Sequence, residues 1–434
     1  MKSIALTLLV ALLTTAITYP AVGRTTGYTY DDASRVTAIS RPGGLATAIT
    51  YDALDRPTAV SHTRGGSTLL SQAYGYDANG NLASYGDDAG TATFSYDDLD
   101  RLTGAAFPAG QTYAYAYDPV GNLLSATTPA GTTTRTYDLA DRITDPGFSS
   151  DANGNLTADP TRTYGYDGFG RLTGSTAGSV TTTYTLDGAG RRLAETTGAS
   201  TTSFDLDLSR ANPTILADGT RRYLPGDPSA GYEQAGTWYS ALADQAGSPH
   251  SLVSEAGVQG TITRWDPYGA ARPGSSVTSG IGYAGEWRDA TGLVNLRARA
   301  YDPAAGRFTG RDGFGGLAQA PQSANRYSYA QNGPYRYADP SGRFVNAVYG
   351  MTSNPSAAKS ASRVKARLTA SSRIRTNDTA SVSEYARPGR RRSHSAAAAM
   401  RSIPAATTSI RLEVSSRSTR SSPNRGWTRA SERA

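Results

Sequence analysis

Short runs of aromatic, β-branched and alanine residues alternate with polar positions along the first half of the chain. In Thr112-Tyr113-Ala114-Tyr115-Ala116-Tyr117 a tyrosine falls at every second position. An alternation of period two, in residues that favour extended backbone, predicts a half-buried strand. No stretch of this region carries a sustained helical period. The pattern therefore predicts an all-β protein built of short strands.

A seven-residue phrase separates these runs: an aromatic residue, Asp, two variable residues, Gly or Asp, Arg or Asn, and an aliphatic residue. Its Asp stands at positions 31, 52, 77, 97, 118 and 138, at intervals of 21, 25, 20, 21 and 20 residues, with later copies at Asp167 and Asp187. Asp, Asn and Gly close tight turns, so each unit of about 20 residues predicts a hairpin. One hairpin cannot bury its apolar face alone. The repeat therefore predicts hairpins paired edge to edge into a coiling sheet.

The Asp of the phrase has two interpretations. The stretches that begin at Asp77 and Asp151 resemble the start of a calcium loop, but neither has the downstream bidentate acid of an EF-hand loop. We therefore favour turn chemistry, in which Asp accepts hydrogen bonds from backbone N–H groups, over weak cation binding. The Tyr is expected to pack across strands with its hydroxyl at the rim. The sequence predicts no cofactor and no metal site.

A second set of motifs follows the repeats in a fixed order. They are Trp265-Asp266-Pro267-Tyr268-Gly269, Gly282-Tyr283-Ala284-Gly285-Glu286, Gly292-Leu293-Val294-Asn295-Leu296-Arg297-Ala298-Arg299-Ala300-Tyr301-Asp302-Pro303, Gly306-Arg307-Phe308-Thr309-Gly310-Arg311-Asp312, Asn325-Arg326-Tyr327-Ser328-Tyr329, Asn332-Gly333-Pro334 and Asp339-Pro340-Ser341-Gly342. Together with the phrase, they resemble the YD (or RHS) repeats and the Rhs repeat-associated core of bacterial Rhs polymorphic toxins, toxin-complex C components and teneurins. So many ordered matches are far more specific than any single motif.

The resemblance implies a partial β-shell, in which strips of YD hairpins spiral and the core region closes one end. In the family, the polypeptide beyond the core is a variable cargo held inside the shell. On this basis we predict a signal peptide at 1–23, YD repeats at 24–222, an Rhs core domain at 223–342 and a variable or degenerate toxin region at 343–434.

The resemblance also implies an aspartyl-protease-like site that cuts the chain just after the D-P-x-G motif. By motif position its two acids fall on Asp312 and Asp339, its supporting arginine falls on Arg299, and the cut falls at Gly342 or Arg343. Two nearby carboxyl groups suit this chemistry because they do not easily ionise at the same time. One of them then acts as a base and the other as an acid on a bound water. The alternative is that Asp339 only opens a turn and Asp312 only caps a loop.

Two departures from the family pattern weigh against activity. The family usually has Leu or another apolar residue directly after D-P-x-G, whereas Arg343 stands here. A short insertion, residues 317–324, also lengthens the spacing between Asp312 and Asp339. Self-cleavage is therefore an open expectation, and it is the one enzymatic activity that we expect of the core region.

The N-terminus has the proportions of a secretory signal peptide. Lys2 precedes an uncharged stretch with an apolar centre at residues 4–13, and Ala21-Val22-Gly23 fits a small-x-small cleavage site. The alternatives are an uncleaved anchor helix and an incidental leader on a gene fragment. We predict a secreted, cell-surface or periplasmic protein, and the absence of Cys gives no evidence on the compartment.

Residues 343–434 differ sharply from the rest in charge and composition. They hold 18 Lys or Arg against four acids, a net charge of +14, and since the whole chain carries +7, residues 1–342 carry −7. Ser, Arg, Ala and Thr dominate without apolar periodicity, which predicts a disordered segment. His394 is its only His and has no metal-ligand spacing. Weak nucleic-acid binding through Arg390-Arg391-Arg392, a degenerate or out-of-frame cargo, and a folded toxin all remain open.

Three classes of function follow from these features. In the first, the chain is a shell or carrier of the polymorphic-toxin type that encloses or presents its own C-terminal segment. In the second, it is a secreted or cell-surface YD-repeat protein that binds carbohydrate or partner proteins. In the third, it is an enzyme, through autoproteolysis or through nuclease activity of the tail. The ordered core motifs favour the first. Because the repeat array is short for a sealed chamber, we expect its strand edges to pair with another shell chain or a second copy.

Overall fold

The alternating residues of the repeats lie in strands, and the larger of them are buried. In Gln111–Tyr117 the side chains of Tyr113 and Tyr115 are buried, whereas the residues between and beside them are exposed or half-buried. The computed structural model describes residues 16–19, 23–275, 280–316 and 321–347. Apart from short 3-10 turns, every regular element in these residues is a strand. The prediction of an all-β protein is confirmed.

Five antiparallel sheets of 12, 7, 6, 5 and 2 strands make up this part of the chain. The first contains β1 (Ala16–Tyr19), β2 (Arg24–Tyr30), β3 (Val36–Arg41), β4 (Leu45–Tyr51), β5 (Pro57–Arg64), β6 (Ser67–Tyr76), β7 (Leu82–Asp87), β8 (Gly90–Tyr96), β9 (Leu102–Phe107), β10 (Gln111–Tyr117), β11 (Leu123–Thr128) and β12 (Gly131–Thr134). The second contains β13 (Ser149–Ser150), β14 (Leu156–Asp159), β15 (Arg162–Tyr166), β16 (Leu172–Ala177), β17 (Val180–Leu186), β18 (Arg192–Thr197) and β19 (Ser200–Ser203).

The later sheets have shorter strands. The third contains β20 (Asp205–Asp207), β21 (Thr214–Ala217), β22 (Arg222–Tyr223), β23 (Gly231–Gln234), β24 (Thr237–Ala243) and β25 (Pro249–Ser254). The fourth contains β26 (Gly280–Ile281), β27 (Trp287–Arg288), β28 (Val294–Leu296), β29 (Arg299–Asp302) and β30 (Arg307–Phe308), and the fifth contains β31 (Tyr337–Ala338) and β32 (Asn346–Ala347). The 3-10 turns are Pro42–Gly44, Pro108–Gly110, Pro228–Ala230, Tyr283–Gly285, Pro321–Ala324 and Ala330–Asn332.

Within each sheet, every strand pairs with the strand that follows it in the chain, so every sheet is a continuous meander. The register shifts where the phrase begins, at Tyr30, Tyr51, Tyr76, Tyr96, Tyr117 and Tyr166. Such a β-bulge bends its strand and increases the local twist. Each hairpin is therefore bent at the same position of the repeat, as the predicted coiling of a YD sheet requires.

The Asp of the phrase closes a turn through its own carboxylate, as predicted. Asp97 Oδ1 accepts hydrogen bonds from the N–H groups of Leu99 and Arg101, each at 3.0 Å, and Asp97 Oδ2 accepts from Arg101 Nε at 2.7 Å. The N–H of Asp100 donates to the carbonyl of Asp97 at 2.9 Å, and Asp100 has a φ of 60°. The turn therefore needs a residue that tolerates the left-handed region, which explains the Gly or Asp of the phrase.

Tyr and Arg connect each phrase to its neighbour. The Tyr hydroxyl donates to the carbonyl in the aliphatic slot of the preceding phrase: Tyr51 to Val36, Tyr76 to Pro57, Tyr96 to Leu82, Tyr117 to Leu102 and Tyr137 to Leu123. Arg101 lies over the Tyr117 ring, 4.9 Å from its centroid, and its Nη1 donates to the carbonyl of Asp118 at 2.7 Å. Consecutive hairpins are thus joined outside the strand ladder as well as within it.

Aromatic residues of the repeats pack against aromatic residues of the core region. One buried cluster contains Tyr113 and Tyr115 of β10 together with Trp265, Tyr268 and Tyr301. The rings of Tyr115 and Tyr268 meet edge to face, with their centroids 5.1 Å apart. The phrase therefore supplies part of the hydrophobic core as well as the turns.

The last part of the core region is also attached to the YD turns by polar contacts. Arg336 pairs with Asp100 at 2.6 Å, Asn332 donates to the carbonyl of Gly121 at 2.8 Å, Asn325 donates to Asn122 at 2.7 Å, Arg307 donates to the carbonyl of Asp141, and Tyr327 donates to the carbonyl of Gly154 at 2.7 Å. These contacts follow successive turns of the repeat. They fix the segment that carries the predicted site against the sheet.

Both ends of the chain lie largely outside the described residues. Ala16–Tyr19 of the predicted signal peptide forms β1 and pairs with β2, and the rest of 1–22 is not described. Of the predicted disordered segment, only residues 343–347 are described, and Asn346–Ala347 pairs with Tyr337–Ala338. The predicted boundary between repeats and core, at residues 222 and 223, falls within β22. The signal peptide, the disorder and the boundaries remain predictions.

Replacing Asp97 with Ala should lower the free energy of unfolding by about 1–2 kcal/mol, because the turn loses a cap for two N–H groups and an ion pair with the buried Arg101. Urea denaturation followed by tryptophan fluorescence measures the change. The neighbouring Asp98 is exposed and serves as the matched control. Equal effects of Asp97→Ala and Asp98→Ala would contradict the proposed role of the cap.

His62 should make the fold sensitive to acid. Its Nδ1 contacts Thr47 Oγ1 at 2.9 Å and its Nε2 contacts the carbonyl of Ala243 in β24 at 3.1 Å. Burial, helped by the charge of Arg41, lowers the pKa of His62 from 6.5 to about 3. The unfolded chain therefore binds a proton below pH 6.5 that the folded chain does not.

Stability should consequently fall as the pH drops from about 6.5 toward 3, by up to ~1.4 kcal/mol per pH unit relative to His62→Gln. Urea denaturation of both proteins between pH 7.5 and 4.5 tests this difference. Parallel pH profiles of the two proteins would show that His62 takes up its proton equally well in the folded state.

Candidate functional site

Three elements of the core region bring the predicted site residues together. Arg299 begins β29, Asp312 follows β30, and Asp339 follows β31. Arg299 Nη2 lies 3.0 Å from Asp312 Oδ2 and 3.3 Å from Asp339 Oδ2. The two acids thus share one guanidinium nitrogen. The insertion that lengthens the spacing between them in the sequence does not keep them apart.

The D-P-S-G motif is a turn of the same kind as the YD turns. Asp339 Oδ1 accepts hydrogen bonds from the N–H groups of Arg343 and Phe344, both at 3.1 Å, and from Ser341 Oγ at 2.9 Å. The N–H of Gly342 donates to the carbonyl of Asp339 at 3.2 Å. Asp339 therefore does open a turn, but with one oxygen only, and its Oδ2 is directed to Arg299.

Gly342 is required by the geometry of this turn. Its φ is 64°, and a Cβ atom here would lie 2.4 Å from the carbonyl oxygen of Leu296. The carbonyl of Gly342 accepts a hydrogen bond from Arg299 Nε at 2.5 Å, and the side chain of Arg343 is exposed. The arginine that joins the two acids thus also holds the carbonyl at the predicted cut.

The two acids differ in how far their side chains are exposed to solvent. The side chain of Asp339 is 2% exposed, that of Arg299 9% and that of Asp312 17%. Burial lowers the pKa of Arg299, and the two carboxylates oppose this shift. A guanidinium remains charged in proteins even so. The arrangement offers a fixed cation, a buried acid and a second acid that water can approach.

Sequence reasoning missed two residues beside the site. Glu286 Oε1 pairs with Arg297 Nη1 at 2.8 Å, and the same nitrogen donates to the carbonyl of Pro340. Burial raises the pKa of Glu286, Arg297 opposes the shift, and the charge of Asp339 adds to it. Both residues stand in the ordered motifs, Glu286 after Gly285 and Arg297 two residues before Arg299, so that their motif positions were the available signal.

Neither a metal site nor a membrane-spanning helix is found in the described part of the chain. In residues 16–19, 23–275, 280–316 and 321–347, no three His, Asp or Glu side chains gather as a metal site would need. Nor does a helix in these segments have the length and apolarity to span a membrane.

Replacing Arg299 with Gln should lower the free energy of unfolding by about 3 kcal/mol, because it leaves the buried Asp339 carboxylate without its cation. Adding Asp339→Asn should restore part of the loss, since the uncompensated charge is then gone. Urea denaturation of the single and double variants measures both effects. A double variant less stable than Arg299→Gln would rule out this electrostatic account.

The fold resembles that of two solved assemblies. The crystal structure of TcdB2-TccC3-Cdc42 matches with a TM-score of 0.61 and 20% identity, over 73% of this chain and 19% of that chain. The Tc holotoxin pore of Photorhabdus luminescens matches with a TM-score of 0.59 and 20% identity, again over 73% and 19%. At this identity the likeness concerns the fold alone. The chain spans about a fifth of the length of either solved chain.

Sequence comparisons identify the family. Salivary gland surface protein 1 of Aedes aegypti is 33% identical over 122 residues, which are 26% of this chain and 3% of that protein. The family model of the teneurin YD-shell matches residues 24–144, 87–204 and 230–335, more than half of the chain. The family predicted from the repeats and core motifs is therefore confirmed, and this chain belongs to the teneurin YD-shell family.

Proposed function

We propose that this chain is a YD-shell module that carries its own C-terminal segment and severs it after Gly342 through Asp312 and Asp339. The observation that supports the proposal most directly is Arg299, whose guanidinium contacts both acids and the carbonyl of Gly342. Hydrolysis of an amide needs a base for water, an acid for the leaving nitrogen and a cation or donor at the carbonyl oxygen. These three parts meet at one turn.

The geometry suggests a role for each group. Asp312, the more exposed acid, takes a proton from a water molecule as the water oxygen attacks the carbonyl carbon of Gly342. Arg299 Nε, already bonded to that carbonyl oxygen, stabilises the negative charge that develops there. The proton taken by Asp312 then passes by way of Asp339 to the nitrogen of Arg343, whose N–H contacts Asp339 Oδ1 at 3.1 Å. The bond between Gly342 and Arg343 then breaks.

The carrier role rests on the family and on charge. Residues 343–434 carry +14 and residues 1–342 carry −7, so that the segment to be released is attracted to the shell that holds it. The four residues of β12, at one end of the first sheet, are all exposed. An exposed edge strand is a site for pairing with another shell chain or with a second copy.

We also propose that the chain is extracellular or lies at the cell surface. The predicted signal peptide and the likeness to a salivary gland surface protein both favour it. The second candidate function, a surface YD-repeat protein that binds carbohydrate or protein without cutting itself, is favoured by the same likeness. The two candidates differ in the fate of the bond after Gly342.

The full chain should convert with time into two fragments, the first ending at Gly342, whereas Asp312→Asn and Asp339→Asn should slow the cut by at least ~100-fold because each removes an acid–base group. Intact mass spectrometry of the purified proteins over hours to days follows the reaction. A first fragment that ends at Arg343 instead would place the cut one residue later. The rates of Asp312→Asn and Asp339→Asn would then still decide whether the two acids take part in it.

Asp118→Asn is the matched control, because Asp118 caps a turn of the same kind with hydrogen bonds from Val120 and Asn122 but lies outside the site. It should cut at the wild-type rate. A wild-type chain that stays intact would refute self-cleavage and favour the surface-binding alternative.

A further inference from the structure

The backbone around the bond after Gly342 is held by a short stretch of the core region. Three successive residues donate to three successive carbonyls: Arg297 Nη1 to Pro340, the N–H of Ala298 to Ser341 at 3.3 Å, and Arg299 Nε to Gly342 at 2.5 Å. Consecutive contacts of this kind resemble the way an extended substrate is held in a binding cleft. Here the cleft and the substrate belong to the same chain.

The N–H groups on the other side of the bond are held as well. Those of Arg343 and Phe344 donate to Asp339 Oδ1. Before the bond, the N–H of Gly342 donates to the carbonyl of Asp339. The polar backbone groups that flank the bond are therefore bound on both sides. Such positioning is what converts a nearby acid pair into an efficient catalyst.

The side chains that follow the bond are not held. Arg343 is exposed, and Phe344 is 63% exposed. Gly342 contributes no side chain, and Ser341 Oγ bonds within the turn, to Asp339 Oδ1. The backbone groups around the bond are therefore held, whereas the side chains that follow it are exposed.

Arg297 is itself held in a single position. Its Nε donates to the carbonyl of Pro213 at 2.9 Å, its Nη1 pairs with the half-buried Glu286 at 2.8 Å, and its N–H donates to Asn295 Oδ1 at 3.2 Å. Its φ of 62° is unfavourable for a residue with a long side chain. A strained residue persists where its surroundings determine its conformation, and such residues often mark functional sites.

We propose that Arg297 and Glu286 are positioning residues of the self-cleavage site, and that the site selects its bond through backbone carbonyls rather than through the residue after Gly342. This inference rests on the proposed function. If it holds, one of the two departures from the family pattern no longer counts against self-cleavage, because a site that does not contact the side chain of the residue after Gly342 can cut before Arg343 as well as before an apolar residue.

The first test compares Arg297→Gln and Glu286→Gln with Arg35→Gln in the full chain. Arg35 is a half-buried arginine paired with Asp31 in an early YD turn outside the site, so it controls for loss of stability. We expect the two site variants to cut at least about tenfold more slowly than wild type, and Arg35→Gln to cut at the wild-type rate. The double variant should be no slower than Arg297→Gln, because Glu286 acts through Arg297.

Arg297→Lys supplies the rescue, since it keeps a cation between Glu286 and the carbonyl of Pro340 and should recover part of the rate. Wild-type rates in Arg297→Gln, or an equal loss of rate in Arg35→Gln, would overturn the positioning role.

The second test concerns selection of the bond. Arg343→Leu and Arg343→Ala should both cut within about threefold of wild type. An increase of more than about tenfold on introducing Leu would overturn selection by backbone position, because it would show that a side-chain pocket reads the residue after the bond.

Hydrogen exchange separates this inference from the proposed function. The amides of Gly342, Arg343 and Phe344 should exchange about tenfold faster in Arg297→Gln than in uncut wild type, and at wild-type rates in Arg35→Gln. If wild type never cuts, self-cleavage is refuted, and faster exchange in Arg297→Gln alone still supports the positioning role of Arg297. Unchanged exchange in Arg297→Gln overturns it.

Discussion

The aspartate-capped turn is the interaction on which the rest of this molecule depends. One carboxylate oxygen accepts two backbone N–H groups, and the fourth residue of the turn takes a left-handed conformation, as at Asp97 and Asp100. Each turn ends one strand at a bulge and starts the next, so the repeat of the turn becomes a repeat of the hairpin. A change at this Asp therefore affects both the local backbone and the packing of neighbouring units.

The same turn recurs in the core region, where it acquires further roles. Asp244, Asp266 and Asp289 each accept N–H groups two and four residues on, as the repeats do. At Asp339 the pattern differs in two respects. The N–H groups come from residues four and five positions on, and the second oxygen pairs with Arg299, which belongs to a different strand. A structural turn thereby becomes part of a cluster of charged groups.

Polar contacts with the YD turns hold in position the segment that carries part of this cluster of charged groups. The segment from Arg307 to Arg336 is attached to successive YD turns, and its aromatic side chains pack on the tyrosines of the first sheet. Neither the sheet nor the core region buries these surfaces alone. The site is consequently a product of their association, although every residue in it comes from the core region.

The sequence by itself determined the strands, the turns, the family and the identity of the three predicted site residues. These follow from contacts within four residues, such as the cap of Asp97 on Arg101, or from motifs in a fixed order. Only the tertiary structure decided that Arg299 lies between Asp312 and Asp339, that it holds the carbonyl of Gly342, and that Glu286 and Arg297 stand beside it. The physical reason is the range of the interactions. A turn is specified by its own residues, whereas an ion pair between distant segments depends on every strand that brings them together.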